Sequence, residues 1–278
     1  MHQPPYQRIA VASAFSPRFE QVLAEAKRVR ERLGTELHLI YAGARDDESD
    51  RRFATALEEL DLPCDAPIHY QEGTPAEAIL AAIAENNVEL IVAGALEKEV
   101  VLRPFLGNVA RQLLREARCS VMLFTKPERE PQPLRCLVFF VPDYSEHSRA
   151  ALQQTFRLAE AEQSEAVHVI RVYTTFDAAR ATLRANIEAT ASGQPTARTL
   201  EEEEVALEDF ITAAGPTDRA VESRCIRGNT GFAASDFVQG VRADLLVVPV
   251  EPRDDADPFP PHIAWVVDAI PCNLWVIR

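Results

Sequence analysis

"QEGTPAEAILAAIAENNVELIVAG", residues 71–94, and "IRGNTGFAASDFVQGVRADLLVVP", residues 226–249, can be laid on each other without a gap. Gly73 and Gly228 each stand seventeen residues before a leucine, Leu90 or Leu245, that opens an apolar run. Positions of helical period correspond between them: Ala76, Ile79, Leu80 and Ile83 in the first copy, Gly231, Ala234, Ser235 and Val238 in the second. A glycine turn, a helix and a buried strand recurring in one order mark an internal repeat.

The flanking sequence keeps the same order. "RIAVAS" from Arg8 and "CLVFFV" from Cys136 are short apolar runs of the kind that form buried parallel strands. In the first half Phe19, Val22, Leu23, Ala26, Val29 and Leu33 then predict a helix that stops at Gly34 as a C-terminal glycine. Ala151, Leu152, Phe156 and Ala159 predict its counterpart. Strands return at "LHLIYAG" (37–43) and "AVHVIRVY" (166–173), near Ile68 and Cys225, and at "LIVAG" and "LLVVP". Val109, Leu113, Leu114 and Ala117 mark the last helix of the first half, and Ile263, Val266, Val267 and Ile270 that of the second. "CSVMLF" (119–124) and "CNLWVI" (272–277) are the closing strands. Strands alternating with helices require right-handed crossovers and a parallel sheet covered on both faces. The expected architecture is therefore α/β, two tandem doubly wound five-stranded domains, residues 1–126 and 127–278. The join "TKPEREPQPLR" (125–135) has the prolines and charges of a short linker.

The second copy is longer between its second and third strands. "DAARATLRANIEA" and "RTLEEEEVALEDFITAA" read as two helices split by the loop "TASGQPTA", a helical insertion over about 174–220. It is expected to pack over the sheet edge; a pocket lid or docking element is the functional alternative.

Composition limits the function. A 278-residue chain with 47% hydrophobic and 26% charged residues has the makings of two packed cores. It contains no apolar run of eighteen residues, and "MHQPPYQ" lacks the basic and apolar regions of a signal peptide, so a cytoplasmic protein without a membrane partner is expected. A net charge of −14 disfavours nucleic acid, whose affinity rests on basic side chains. The five cysteines are scattered and never paired as CxxC, which speaks against a disulfide framework or a zinc site. The six histidines form no metal-binding pair, and His38 and His168 occupy nearly matching places on the second strands. No nucleophile elbow or Walker loop occurs, so no catalytic residue is named and no enzyme is expected.

"FVPDYSEHSRAAL" (140–152), the paired strands and helices, and "GNVARQLLREARCSVMLF" (107–124) resemble the universal stress protein family, over nearly the whole chain and as two copies. The resemblance implies a nucleotide site with three parts: an Asp after the first strand at the adenosine end, a valine on the second strand that meets the base edge, and a loop GxxGxxxxxxxxxG followed by Ser or Thr that cradles phosphates at a helix N-terminus. The candidate contacts it implies are Ala42, Gly94, Gly107, Asn108 and Val109 in the first half, and Asp143 and Val172 in the second. ATP or AMP in the first domain is the candidate cofactor.

Each half departs from that pattern. In the first, Ala14 stands where the second has Asp143, Glu97 replaces the middle glycine, and Asn108 replaces the Ser or Thr. Glu97 and Glu99 would repel a triphosphate by about 1 kcal/mol or more per charge pair, partly offset by Arg103. The second half keeps Asp143 and Ser145, and there Asp143 reads equally well as a helix cap. Its loop carries Pro249, Pro260 and Pro261, which have no N–H to give a phosphate, and Asp254, Asp255 and Asp257, which lack the spacing of a calcium loop. The expected function is non-enzymatic stress regulation through a small-molecule ligand or a protein partner, with the ATP site eroded in both halves. The alternative is an ATP- or AMP-binding protein with weak ATPase activity in the first domain. The resemblance also implies an internal pseudo-dimer, or a homodimer, joined through the closing strands.

Overall fold

A computed structural model describes residues 4–13, 15–95, 107–187, 198–251, 264 and 272–278. By contacts these fall into two units, the first holding residues up to 133 together with 272–278, the second holding 134–251 and residue 264.

The first unit runs β1 (Tyr6–Ser13), α1 (Phe19–Leu33), β2 (Gly34–Ala42), α2 (Asp47–Glu59), β3 (Ile68–Gln71), α3 (Pro75–Glu85), β4 (Leu90–Gly94), α4 (Asn108–Glu116) and β5 (Ser120–Phe124). Its strands lie in the order β3-β2-β1-β4-β5 and all pair in parallel. The second unit runs β6 (Cys136–Phe140), α5 (Glu146–Glu162), β7 (Ala166–Tyr173), α6 (Thr175–Ile187), α7 (Leu200–Ala214), β8 (Ala220–Arg227), α8 (Thr230–Gly240) and β9 (Leu245–Pro249). Its parallel order is β9-β6-β7-β8. The helix expected over 263–270 lies outside the described residues.

The apolar runs become the core because strands covered on both faces cannot show a polar side. Ile9, Leu39, Ile40, Leu90, Ile91 and Val92 are fully buried, as are Leu137, Val138, Val169, Leu245 and Leu246 in the second unit. Helix α1 stops where the glycine predicted it, for a different reason. Gly34 is extended (φ −139°, ψ 178°), already the first residue of β2, and a Cβ on it would lie 2.3 Å from Cδ1 of buried Ile9. Contact with the buried Ile9 side chain, rather than a left-handed turn, calls for the glycine.

The closing strand β10 (Asn273–Ile277) packs with the first unit, antiparallel to β5, with Trp275 opposite Met122. Leu274, Trp275 and Val276 are fully buried, and the ring of Tyr6 meets Trp275 edge-on at 6.4 Å. Tyr6 Oη donates to Ser120 Oγ (3.1 Å), which also accepts from the Arg278 backbone N–H (3.1 Å). The Arg278 guanidinium donates to the carbonyls of Cys119 (3.3 Å) and Leu114, neutralising the C-terminal end of α4.

The linker is strapped to the first unit. Arg129 pairs with Glu20 (3.0 Å) and Glu59, and Arg28, itself paired with buried Glu25 (2.6 Å), donates to the Gln132 carbonyl.

Two predictions follow from this packing. Removing the Trp275 side chain leaves a large internal void, so Trp275→Ala should cost about 3–5 kcal/mol in urea unfolding, while Phe176→Ala, at a residue 67% exposed, should stay within about 0.5 kcal/mol. The second concerns His38 and His69, whose rings stack with Nδ1 and Nε2 at 2.9 Å, beside Glu36 on β2 and Glu85 on α3. Burial, then the charge of His38, holds His69 below its ordinary value of 6.5, so the unfolded chain takes up the proton first. This stabilisation is complete above about pH 6.5 and is lost as pH falls below it. The melting temperature should therefore drop between pH 7 and 5, and by less in His69→Gln.

Candidate functional site

In open α/β sheets, ligands enter beyond the carboxyl ends of the strands, at the point where strand order reverses. In the first unit this point lies between β1 and β4, since β1 leads to β2 on one side and pairs with β4 on the other. The predicted contacts gather along this edge. Ala42 ends β2, Gly94 ends β4, and Gly107, Asn108 and Val109 open α4. Ala14, Glu97, Glu99 and Arg103 lie outside the described residues.

The glycines have packing reasons of their own. A Cβ on Gly94 would come 2.9 Å from Cγ2 of Val22, so α1 itself requires a small residue there. Gly107 is the N-cap of α4 at φ −63° and ψ 156°, a conformation open to any residue.

The space beyond β1, β2 and β3 is filled by the protein's own rings. Phe15, two residues past the end of β1, lies 4.9 Å from Tyr41 and 4.9 Å from Phe53, and 5.2 Å from Phe19. Tyr70 closes the group against Tyr41 at 5.8 Å, and the Arg52 guanidinium covers the outer face of Phe15 at 4.0 Å. Phe53 is fully buried at the centre. Tyr70 also donates to Asp50, which pairs with Arg45 Nε at 2.9 Å. The Asp50 carboxyl is held low, first by Tyr70 and then by Arg45, while burial, followed by that same hydrogen bond, pushes the Tyr70 phenol up to about 12. Edge-on and tilted rings at these separations attract one another beyond their burial.

In the second unit Asp143 follows β6, and Val172 lies buried within β7. Asp143 Oδ1 accepts from the Ser145 backbone N–H (3.0 Å) and from Ser148 Oγ (2.8 Å), while Ser145 caps α5. The N-cap of α5 is therefore Ser145, and Asp143 holds that capping turn in place through Ser145 and Ser148. The loop prolines Pro260 and Pro261, with Asp254, Asp255 and Asp257, lie outside the described residues; Pro249 ends β9.

Beside Asp143 stands a charged cluster that no motif in the sequence announces. Arg171 of β7 pairs with Glu203 of α7 (Nε–Oε1 2.9 Å) and donates to the carbonyls of Val141 (3.0 Å) and Pro142. Tyr144 Oη donates to the same Glu203 oxygen at 3.0 Å, and Arg198 reaches Oε2 at 3.6 Å. The Glu203 side chain is only 8% exposed, so the carboxylate has exchanged water for these partners. Burial, then the charge of Glu203, pushes the Tyr144 phenol far up, keeping it a donor. The Tyr144 ring meets Phe210 of α7 at 5.4 Å. The two units thus share a device: the aromatic residue after the first strand, Phe15 or Tyr144, packs on a phenylalanine from the crossover between the second and third strands, Phe53 of α2 or Phe210 of α7. A charge inside the buried strand "VIRVY" was the signal in the sequence, because such an arginine needs a partner.

Burial pushes the thiols of Cys119 up to about 12 and of Cys136 and Cys225 to about 11, so they stay protonated at neutral pH. Among the described residues no helix is long and apolar enough to cross a membrane.

A parallel sheet with this crossover order, met twice along one chain, defines a class, and comparison with known proteins supplies its family. The model of the universal stress protein family matches residues 5–125 and again 138–278; the chain belongs to that family, with two tandem domains. A universal stress protein of Methanocaldococcus jannaschii is 36% identical over 59 residues, 21% of this chain and 35% of that relative, so the chain spans about a third of its length. Among solved structures, a functionally unknown protein from Pseudomonas aeruginosa is similar over 98% of this chain and 92% of its own (TM-score 0.70, 17% identity). A universal stress protein from Archaeoglobus fulgidus is similar over 97% and 96% (TM-score 0.61, 16% identity). At these identities the structures establish the fold.

Removing Glu203 tests the cluster. Glu203→Gln should cost about 2–3 kcal/mol in urea unfolding, less than the ~3–5 of a fully buried pair because Arg171 and Arg198 retain some water contact. The double variant Glu203→Leu/Arg171→Met, which removes both charges, should recover most of the loss.

Proposed function

We propose that this chain is a non-enzymatic regulatory protein of stress response that works by holding a small ligand or a protein partner, its ancestral ATP site closed in both halves. The observation that carries this reading is the occupancy of the base end in each unit. A planar base entering the first would have to displace Phe15 from Tyr41 and Phe53, and lift Arg52 from its face. A nucleotide approaching the second meets an Asp143 already committed to Ser145 and Ser148 and a Glu203 already bound by Arg171. Membership of the family supports the stress-response role. Glu97 and Glu99 in one loop, and the prolines of the other, support the loss of the phosphate cradle.

The second reading, ATP or AMP bound in the first domain with weak ATPase activity, is favoured by one feature: α4 begins directly after Gly107, offering a helix N-terminus at the carboxyl edge. Calorimetric titration of the full chain with ATP, ADP and AMP separates the two. No saturable heat is expected up to about 1 mM. Sub-millimolar ATP binding that disappears in Gly107→Val overturns the proposal. That variant keeps the backbone, since φ −63° suits valine.

A further inference from the structure

The crossover between second and third strands is where the two copies differ in build. The first unit uses one helix, α2; the second uses two, α6 and α7. Between those two helices and the carboxyl ends of β7 and β8 lies a cavity of about 550 Å³. That is larger than the hollow of about 310 Å³ beside Tyr144, and it falls within the roughly 300–1,000 Å³ of small-molecule sites. It opens on the carboxyl edge of the sheet, beyond β7 and β8 and one strand away from the reversal between β6 and β9.

We infer that this cavity binds a small amphipathic monocarboxylate, its apolar body against Tyr173, Ala178, Ala181 and Leu200 and its carboxylate on Arg227. Tyr173 and Ala181 are each 8% exposed and form the apolar floor. Arg227, exposed at the end of β8, has no side-chain hydrogen bond or ion pair among the described residues, which leaves its guanidinium fork to a carboxylate. The position of Arg227 is set by its neighbour. Gly228 holds φ +154°, where a Cβ would also lie 3.0 Å from that of Ala233, and its N–H donates to the Tyr173 carbonyl at 3.2 Å, tying the ends of β7 and β8 together.

Hydroxyls line the rest. Thr174 Oγ1 donates to Asp177 (2.7 Å) and Thr182 Oγ1 to the Ala178 carbonyl (3.0 Å), so both meet a ligand as acceptors. Thr199 Oγ1 accepts from the Glu202 N–H (3.2 Å) and keeps its proton to donate. Among the lining residues Arg227 is the one cation and Glu201 the one anion. A single carboxylate can be paired there, by Arg227, whereas each further charge of a polyphosphate would go unpaired. This site goes beyond the regulatory reading above and stands whether or not the nucleotide positions are closed.

Titration of the full chain with 3-phenylpropionate and with octanoate tests it. Saturable binding of at least one acid in the millimolar range or tighter is expected, weakened about tenfold or more by Arg227→Gln and abolished by Ala181→Leu, which fills the floor. Arg227 is exposed, so Arg227→Gln leaves folding intact, and a melting curve checks Ala181→Leu. No saturable heat with either acid up to about 10 mM, or binding that Arg227→Gln leaves unchanged, overturns the site. ATP titrated into Gly107→Val reports on the first unit alone, so the failure of either idea is distinguishable from that of the other.

Discussion

Parallel pairing is the constraint from which the rest follows. Strands that all run one way need a helix to return the chain each time, and the helices cover both faces and force the strands to be apolar throughout. All carboxyl ends of the parallel strands in a unit then lie on one edge, together with the starts of the returning helices. Backbone polar groups and helix dipoles concentrate there, and the polar or aromatic side chains that give the protein its character are found on that edge.

Such an edge cannot stay empty at no cost: it is either solvated, bound or filled. The first unit fills it with rings, gaining apolar burial at Phe53 and Phe19 and edge-on and tilted ring contacts at Phe15. The second fills it with charge, and buried charge is stable only when each lone pair and proton has a partner. Arg171 meets that demand from both sides, with two backbone carbonyls and one carboxylate. Once filled in these two ways, the same fold ceases to be equivalent in its two copies.

The repeat, the alternation of strands and helices and the insertion were legible in the sequence, because period and glycine spacing are local and Leu90 and Leu245 stand in register. Gly34 was legible as a boundary and misread as to cause: a left-handed cap and a close approach to Ile9 both call for glycine, and only coordinates tell them apart. Asp143 was left open between ligand and cap, since an aspartate two residues before a helix-capping serine suits either. The ring cluster was illegible because Phe15, Tyr41, Phe53 and Tyr70 come from four separate segments, each unremarkable alone. Glu203 was hidden by its neighbours: in "EEEE" three carboxylates face water and one turns inward, and composition cannot say which.

The seat of β10 beside β5 has a consequence in time. Phe124 is synthesised 149 residues before Asn273 (273 minus 124), so the strand that covers the edge of β5 appears only after the whole second unit has been made. At about 5–20 residues per second that delay is roughly 7–30 s, during which "SVMLF" presents an unpaired apolar edge. The first unit is thus the earlier to be made and the later to be finished, and its protection during synthesis falls to chaperones or to the speed with which the second unit folds.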